Sequence, residues 1–415
     1  MATDPSPGAW PRALERIGVL GAGTMGSGIS QVAARAGLIV LLHDPLPDAA
    51  ARGMQKIAGS LARSVERGQL ATADRDATLA RISAVDSLDA LAEADCMIEA
   101  VPEDLDLKRG IFGRLDALAP PDRILATNTS SLSVARIASA TAHPDRVVGM
   151  HFFNPVPVMA LVEVISGPLT DPRAAAAVAR LAQRLGKTAV LAADTPGFIV
   201  NRVARPYYLE ALRMLGDGVA GVEQIDGAMR AIGFRMGPFE LMDAIGLDVN
   251  LAVSQSVFSQ SFDDPRYRPH PMQRSLVEAG RLGRKTGGGF YDYAADGTRG
   301  GAWSGATQRP AGPAVRPLDD AQVEARILAA LVNEAASAVA DGVATPDAVD
   351  TAMRLGTNYP RGPLEWGEAI GLASVVHTLD ALHDEVPDGR YRVVPLLRAL
   401  AERGGSFLGG APAAG

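Results

Sequence analysis

The chain has 415 residues, of which 47% are apolar and 21% charged, and its formal net charge is −7 at pH 7. This length exceeds what one hydrophobic core supports, so we expect two or three domains of ordinary globular composition. The acidic balance argues against general nucleic-acid binding, because no overall positive field is available to neutralise phosphates. Any anionic ligand must therefore meet local positive charge.

The N-terminus and the one cysteine indicate the cellular compartment in which the protein is expected. Residues 1–11 are rich in Pro, Gly and Ala and lack the apolar segment of a signal peptide, so we predict a loose tail. Cys96 lies in an apolar run without a partner for an internal disulfide, which fits a reducing cytoplasm. No apolar stretch is long enough to span a bilayer. We expect a cytoplasmic protein with no membrane partner, and we assign no metal ligands.

The first predicted strand, Arg16–Leu20, runs into a glycine-rich turn and then into a helix. The next strand, 38–42, is followed by the acidic residue Asp44. A glycine motif between a strand and a helix, with an acid after the following strand, is the context of the dinucleotide-binding fingerprint. The residues predicted to contact the cofactor at the turn are Gly21, Gly23, Thr24, Met25 and Gly26.

Each glycine of this turn has an expected role. Gly21 allows the tight turn, Gly23 lets the backbone approach a pyrophosphate, and Gly26 lets the helix pack on the strand. Asp44 would accept hydrogen bonds from the adenosine ribose hydroxyls and would repel a 2′-phosphate. The sequence therefore favours NAD over NADP as the cofactor.

A long helix is predicted from about Asp48 to Gln69, with basic and hydroxyl side chains on one face. Their spacing of i, i+4, i+7 and i+11 places them in one stripe. The stripe is either a solvated helix face or a docking face for an anionic ligand, and the pattern alone does not choose between them. The stripe residues are Lys56, Ser60, Arg63 and Arg67.

Further strands alternate with helices up to about residue 192, which predicts a largely parallel sheet with helices on both faces. Such sheets bind ligands beyond the carboxyl ends of their strands. Five polar residues directly follow predicted strand ends and are expected to line a site there: Glu103, Lys108, Asn128, Ser130 and His151.

His151 ends the apolar run 147–152, and Glu163 lies on the run that returns from the Asn154–Pro155 turn. A histidine with a carboxylate on the return strand is the arrangement of a general base and its orienting partner. The alternative is a core histidine with satisfied hydrogen bonds and a charge at a sheet edge. The polar segments 128–131 and 195–202 favour the catalytic interpretation.

The pattern changes at Asp194-Thr-Pro-Gly197, which marks a domain boundary. We predict a Rossmann-type domain over 12–193 and an all-α domain over 194–293, with helices at about 200–215, 222–232 and 238–258. The glycine-rich stretch 283–291 is interpreted as a structural turn that closes the domain. Residues 294–317 lack periodicity and are predicted to be a linker.

Residues 318–408 are predicted to repeat the helical module, followed by a tail at 409–415. The segment 210–246 aligns with 334–371, so that Glu210 matches Glu334 and Asp226 matches Asp350. Asn201 falls opposite Ala325, so the second copy lacks that polar group. We expect it to pack against the first copy and to carry no site of its own.

Taken together, five motifs resemble the L-3-hydroxyacyl-CoA dehydrogenase family from Arg16 to about Tyr293. The longer chain resembles the bacterial branch that includes 3-hydroxybutyryl-CoA dehydrogenases and the 3-hydroxyadipyl-CoA dehydrogenases of phenylacetate breakdown. The motifs are Gly21-Ala-Gly-Thr-Met-Gly26, Asn128-Thr-Ser-Ser-Leu132, His151-Phe-Phe-Asn-Pro155, Asp194-Thr-Pro-Gly-Phe-Ile-Val-Asn201-Arg202 and Gly237-Pro-Phe-Glu-Leu241.

The resemblance implies oxidation of a 3-hydroxyacyl-CoA to the 3-oxoacyl-CoA, with hydride passing to NAD⁺. By matching position, His151 would take the hydroxyl proton while Glu163 orients its ring, and Ser130 and Asn201 would hold substrate oxygens. Because Asn201 comes from the helical domain, the family pattern implies a site in the cleft between domains.

The resemblance also implies binding roles. It places Asp44 on the adenosine ribose and Glu103, Lys108 and Asn128 near the nicotinamide end. It makes the helix stripe, chiefly Ser60 and Arg67 with Lys56, a candidate for the CoA nucleotide. A dicarboxylic acyl tail would need a cation, for which the candidates are Arg205, Arg235 and Arg361; any one of them is more simply a surface or structural arginine.

Two other functions are compatible with a similar architecture. A dehydrogenase of free 3-hydroxy acids would use a lysine base, which fits the His151–Glu163 pair poorly. A non-catalytic NAD-binding protein would be favoured by the loss of a catalytic residue type, and none is lost. The duplicated module allows either a homodimer or a pseudo-dimeric monomer.

Overall fold

The structure is a computed structural model that describes residues 10–307 and 316–409. Most of the predicted tails and the centre of the predicted linker lie outside these residues. The chain divides into two compact units, with the boundary between Phe198 and Ile199. In the described ranges no helix is both long and apolar enough to cross a membrane.

The first unit is built on a sheet of eight strands in the order β3-β2-β1-β4-β5-β6-β7-β8. All neighbouring pairs are parallel except β6 and β7, which are antiparallel. The strands are β1 (Arg16–Leu20), β2 (Ile39–His43), β3 (Ile82–Ala84), β4 (Cys96–Glu99), β5 (Ile124–Thr127), β6 (Val147–Phe152), β7 (Leu161–Ser166) and β8 (Thr188–Ala193).

Seven helices cover this sheet in the described part of the first unit. They are α1 (Thr24–Arg35), α2 (Ala49–Glu66), α3 (Thr72–Leu79), α4 (Leu88–Leu91), α5 (Leu105–Leu118), α6 (Val134–Ala138) and α7 (Pro172–Arg184). Strands β4, β5 and β6 are buried along their whole length, as expected for strands covered on both faces. The predicted Rossmann-type sheet is confirmed, and the strands predicted at 16–20, 38–42 and 147–152 lie within one residue of β1, β2 and β6.

Local sequence signals set where several helices begin. Asp104 precedes α5 and accepts a hydrogen bond from the backbone N–H of Leu107 at 2.9 Å. Asp171 precedes α7 in the same way, and Pro172 occupies the first helical position, where no N–H is needed. These caps fix the loops after β4 and β7 relative to the sheet.

The second unit is mainly helical, as predicted, but the predicted helix over 238–258 is wrong as a single element. Gly246 has φ = +103°, a conformation that an L side chain rarely adopts, and it divides the segment into two helices. The helices up to residue 280 are α8 (Val200–Val203), α9 (Arg205–Asp217), α10 (Val222–Ala231), α11 (Pro238–Ile245), α12 (Leu247–Gln260) and α13 (Pro271–Glu278).

The predicted linker over 294–317 is wrong for the part before residue 308. Strand β9 (Tyr291–Tyr293) pairs antiparallel with β10 (Arg299–Ala302), and a short helix α14 (Ser304–Thr307) follows. The hairpin is held by the N–H of Trp303, which donates to Phe290 O at 2.8 Å, and by Arg281, which stacks on the Trp303 ring. The turn and glycines of this hairpin do not alternate apolar with polar residues, so no strand was predicted there.

The remaining helices pack with the earlier ones in the same compact unit. They are α15 (Asp320–Ala340), α16 (Pro346–Thr357), α17 (Pro363–Ile370), α18 (Leu372–Glu385) and α19 (Pro395–Arg403). We call residues 199–293 the first module and residues 318–408 the second module. Gly371, with φ = +90°, separates α17 from α18 as Gly246 separates α11 from α12.

The two modules contain matching carboxylate contacts. Asp226 accepts hydrogen bonds from the backbone N–H groups of Phe239 and Glu240 at 2.9 and 3.0 Å. Asp350 accepts from Leu364 and Glu365 at 2.8 and 2.9 Å. Each aspartate therefore ties one helix of its module to the beginning of the next.

Candidate active site

The glycine-rich turn between β1 and α1 has the shape expected of a phosphate-binding turn. Gly21 has φ = +99°, and a Cβ there would lie 2.6 Å from Ala100 O. A Cβ on Gly26 would lie 1.7 Å from Gly21 O, so only glycine lets α1 sit this close. A Cβ on Gly23 would meet nothing within 4 Å. The backbone at Gly23 and the N-terminus of α1 thus face open space, where a pyrophosphate fits.

Asp44 follows β2 beside this turn. Its Oδ2 accepts a hydrogen bond from the N–H of Ala22 at 2.8 Å, and its Oδ1 accepts from Leu46 at 3.0 Å. The carboxylate is only partly buried. A charged acceptor is therefore held directly against the glycine-rich turn, the arrangement that recognises a ribose diol.

His151 and Glu163 face each other across the antiparallel strands β6 and β7, as directly paired residues. His151 Nδ1 lies 2.6 Å from Glu163 Oε2, and the two side chains are 7% and 0% exposed. Because a carboxylate only accepts hydrogen bonds, Nδ1 carries the proton and Nε2 presents its lone pair. The pair can act as a general base with a fixed tautomer.

The surroundings of His151 also fix its ring. The Phe153 ring lies 4.4 Å from the imidazole, centroid to centroid, and the Phe198 ring lies 6.0 Å away. The N–H of Phe152 donates to Asn128 Oδ1 at 2.8 Å. Asn128, in the loop after β5, is therefore joined to the strand that carries the histidine.

Glu103 organises the loop after β5. Its Oε1 accepts hydrogen bonds from the Thr129 hydroxyl at 2.7 Å and from the N–H groups of Ser130 and Ser131 at 2.8 and 3.0 Å. Removal of water from this carboxylate would raise its pKa, but Lys108 and these hydrogen bonds outweigh that effect, so the pKa of Glu103 lies below its ordinary value. Glu103 thus stays ionised and holds Ser130 in place.

Lys108 is 1% exposed, and its Nζ donates to Glu99 Oε1 at 2.6 Å. Glu99 also accepts from the Thr127 hydroxyl at 2.7 Å and from the N–H of Val101 at 2.7 Å. This buried ion pair joins β4, β5 and α5 under the loops of the site. Sequence analysis missed Glu99, although a carboxylate inside an apolar strand needs a buried partner and could have signalled one.

The stripe on α2 presents its basic side chains to solvent. Lys56, Arg63 and Arg67 are exposed and Ser60 is half-buried, while the opposite face packs through Gly53, Ile57 and Leu61. No ion pair to these three basic residues is found within residues 10–307 and 316–409. The exposure of these side chains is compatible both with a solvated helix face and with a docking face for an anionic ligand.

Asp194 is a second residue whose role sequence analysis missed. It was assigned to the domain boundary, but its carboxylate accepts from the Ser133 hydroxyl and from the N–H groups of Val134 and Ala135 at 2.7–3.0 Å. It thus caps α6, the helix after the Ser130 loop. Asn201 lies in α8, at the beginning of the second unit, and is half-buried.

Comparison with known proteins agrees with this geometry. Residues 16–195 match the family model described as 3-hydroxyacyl-CoA dehydrogenase, NAD binding domain. Residues 197–293 and 323–407 match the model described as 3-hydroxyacyl-CoA dehydrogenase, C-terminal domain.

Three similar proteins illustrate the relationship. The 3-hydroxyadipyl-CoA dehydrogenase of Escherichia coli is 39% identical, over 94% of this chain and 98% of the relative. The 3-hydroxybutyryl-CoA dehydrogenase of Bradyrhizobium diazoefficiens is 45% identical, over 68% of this chain and 96% of the relative. The crystal structure of an Escherichia coli 3-hydroxybutyryl-CoA dehydrogenase superposes with a TM-score of 0.85 at 38% identity, covering 94% of this chain and 99% of that one.

The dinucleotide turn and the histidine–glutamate pair define an NAD-dependent oxidoreductase. Within that class, the chain belongs to the 3-hydroxyacyl-CoA dehydrogenase family.

Proposed function

We propose that this chain oxidises (S)-3-hydroxyacyl-CoA thioesters to 3-oxoacyl-CoA with NAD⁺, acting on a short acyl chain such as hydroxybutyryl or hydroxyadipyl. The observation that carries the proposal is the His151–Glu163 pair at 2.6 Å on a sheet that also bears the dinucleotide turn. The names of the similar proteins support the thioester substrate.

In this proposal His151 Nε2 takes the proton of the 3-hydroxyl group, and the imidazolium that forms is stabilised by Glu163. A buried carboxylate against Nδ1 favours that charge and keeps the ring oriented. Ser130 and Asn201 hold the substrate oxygens, so that C3 is positioned for transfer. In the reverse direction His151 returns the proton to the oxygen at C3.

NAD supplies the hydride acceptor when it is bound. The open space at Gly23, the N-terminus of α1 and the partly exposed Asp44 carboxylate fit its pyrophosphate and ribose. We assign Thr24 and Met25 to the same turn. We further propose that Glu103, Lys108 and Asn128 lie towards the nicotinamide, where Glu103 and Lys108 act by holding the loop and strand ends and Asn128 by anchoring Phe152.

We assign the exposed stripe of α2 to the CoA nucleotide, with Lys56, Ser60 and Arg67 as contacts. An acidic protein needs local positive charge to bind phosphates, and exposed arginine and lysine side chains without described ion pairs provide it. Arg67→Ala is expected to raise KM for the acyl-CoA and to leave KM for NADH unchanged. Equal increases in KM for the acyl-CoA and for NADH would contradict the assignment of this stripe to CoA.

The test of the proposed function is NADH oxidation with acetoacetyl-CoA by wild type and His151→Ala. Turnover by wild type and its loss in the variant support the proposal, provided that both proteins bind NADH and have similar Tm values. Binding of NADH without turnover of any 3-oxoacyl-CoA would contradict it and leave a non-catalytic NAD-binding protein.

We also propose that the first and second modules are two copies of one fold and that the second replaces a partner subunit. Their matching aspartate contacts and their match to the same C-terminal domain model support this. The domain order is then a cofactor domain over 12–193 and two helical domains over 194–293 and 318–408, which contain the first and second modules. Light scattering should give the mass of a monomer; a dimer joined through its helical modules would contradict the proposal.

A further inference from the structure

Arg205 is a buried arginine without a carboxylate partner. It begins α9, one turn after Asn201, and is 3% exposed. Arg202 and Arg213, on the same stretch, each pair with a buried glutamate, Glu334 and Glu210. Arg205 has no such ion pair in the described part of the chain. Because an unpaired buried charge is costly, an arginine held in this way is stabilised when an anionic group binds to it.

The neighbours of the Arg205 guanidinium are all neutral. Nε donates to the Asn201 carbonyl at 2.8 Å, and Nη1 donates to the Ser254 hydroxyl at 3.0 Å. The guanidinium carbon lies 4.9 Å from the centre of the Tyr208 ring. Nη2 has no hydrogen-bond partner among the described residues. One edge of the fork is therefore free to bind a ligand.

A second buried donor near Arg205 also lacks an acceptor within the described residues. The Tyr359 hydroxyl is buried and unpaired. Burial raises the pKa of Tyr359 well above its ordinary value, although the charge of Arg205 acts in the opposite direction, so the hydroxyl keeps its proton and can donate. A guanidinium and a neutral donor without an acceptor are suited to an anion with several acceptor atoms, such as a carboxylate.

The position of Arg205 indicates which anion this is. One helical turn, about 5.4 Å, separates it from Asn201, the residue that the proposed function places on an oxygen at the reacting end of the substrate. The phosphates of CoA are at the opposite end of the substrate. A six-carbon dicarboxylic chain carries its free carboxyl carbon three bonds beyond C3, so its carboxylate oxygens extend towards a cation that lies one helical turn from the group holding the C3 oxygen. A four-carbon acyl chain ends before that point.

We propose that Arg205 binds the terminal carboxylate of a dicarboxylic acyl chain, with the Tyr359 hydroxyl as an additional donor, and so selects 3-hydroxyadipyl-CoA over unsubstituted acyl-CoA. The inference rests on the proposed function for the placement of the substrate. Arg235 and Arg361, the other candidate cations, are exposed, and Arg361 stacks on Trp366. A carboxylate bound by either would remain in water, where an ion pair contributes little.

The test is calorimetric binding of adipyl-CoA and hexanoyl-CoA, which have equal chain lengths and differ only in the terminal carboxylate. Wild type should bind adipyl-CoA about 100-fold more tightly. In Arg205→Met that preference should be lost, because truncating one partner of a buried charge pair has effects of about this size. The matched control Arg235→Met should keep the wild-type preference.

Two results overturn the inference: equal binding of both ligands by wild type, or an unchanged preference in Arg205→Met. If that variant does not fold, Arg205→Lys replaces it, since it keeps the charge and loses the planar fork. A preference reduced at least tenfold then supports the inference, and an unchanged one rejects it. Neither ligand has an oxygen at C3, so this binding test is separate from the turnover assay that decides the proposed function.

Discussion

Arg202 and Glu334 form a buried ion pair between the two modules, with Arg202 Nε 2.7 Å from Glu334 Oε1. Glu334 also accepts from the Tyr267 hydroxyl at 2.5 Å and from Arg266 Nη1 at 3.1 Å. Arg202 directly follows Asn201, so a carboxylate of the second module fixes the short helix that carries a proposed substrate-binding residue. The second module therefore supports the site although it lacks the equivalent of Asn201.

Glu334→Gln should destabilise the second unit, because it removes the buried charged acceptor that Arg202 and Arg266 share and leaves them only Asp341 and Asp264 as carboxylate partners. Breaking a buried ion pair costs up to about 3–5 kcal/mol, and the remaining carboxylates place the expected loss at the lower end, about 3 kcal/mol. Urea or thermal unfolding measures the effect. The control is Asp380→Asn, which breaks the exposed pair with Arg398 in the same module and should cost about 1 kcal/mol at most. Equal losses of stability in the two variants would contradict a stabilising role of the buried Glu334 carboxylate.

Glu163→Gln should reduce kcat by about 10²–10⁴-fold while changing Tm little, since the glutamine amide can donate to Nδ1 and stabilise the wrong tautomer of His151. Steady-state kinetics with acetoacetyl-CoA and NADH measure the loss. NADH binding by the variant serves as the control for an intact cofactor site. A kcat within a factor of ten of wild type would show that Glu163 does not orient the base.

Glu103→Gln should lower kcat/KM by roughly 10–100-fold, because a misplaced positioning group costs rate and the neutral side chain holds the Ser130 loop less firmly. The matched control is Glu93→Gln, which removes an exposed carboxylate of the same unit that contacts only Arg16 among the described residues. Similar kinetics for both variants would mean that the Glu103 hydrogen bonds do not position the site.

Asp226 should make stability depend on pH between about 4 and 7. Burial raises the pKa of Asp226 to about 7, against the hydrogen bonds from Phe239 and Tyr291, and its ordinary value is 3.8. A carboxyl group whose pKa is raised by folding stabilises the folded state at low pH. That contribution is lost as the pH rises through the window, with a slope of up to about 1.4 kcal/mol per pH unit.

The measurement is Tm from pH 4 to 8 for wild type and Asp226→Asn. Relative to the variant, which cannot titrate at this position, wild type should lose stability as the pH rises towards 7. A constant difference between the two proteins over this range would show that the Asp226 carboxyl group does not titrate within the window.

The sequence was sufficient to predict those parts of the site that lie within one continuous segment of the chain. The turn from Gly21 to Gly26 could be predicted from the spacing of its glycines, and the close approach of Gly26 to Gly21 O lies within that turn. The facing of His151 and Glu163 was predictable because the two strands follow each other in the chain, and a return strand places residues in pairs. Apolar runs with intervening helices were enough to predict a largely parallel sheet with helices on both faces.

Contacts that join distant segments were not predictable. Glu103 and Lys108 were expected near the cofactor, but their hydrogen bonds to the Ser130 loop and to Glu99 depend on how α5 packs against β4 and β5. The break at Gly246 is a single backbone conformation inside a continuous apolar pattern. The hairpin of β9 and β10 is held by the stacking of Arg281 on Trp303, and the amino-acid composition does not reveal which residues make such a contact.

The ion pairs between the two modules also affect which amino-acid substitutions this chain can tolerate. Glu334 of the second module accepts Arg202 of the first, and Glu210 of the first accepts Arg326 of the second at 2.8 Å. In an assembly of two identical subunits, one mutation alters both halves of such an interface at once. In a single polypeptide with a duplicated module, each half mutates alone. A loss on one side therefore leaves the other side intact. In the duplication that we propose, the second module, which lacks Asn201, is free to accumulate substitutions that a symmetric pair would not survive.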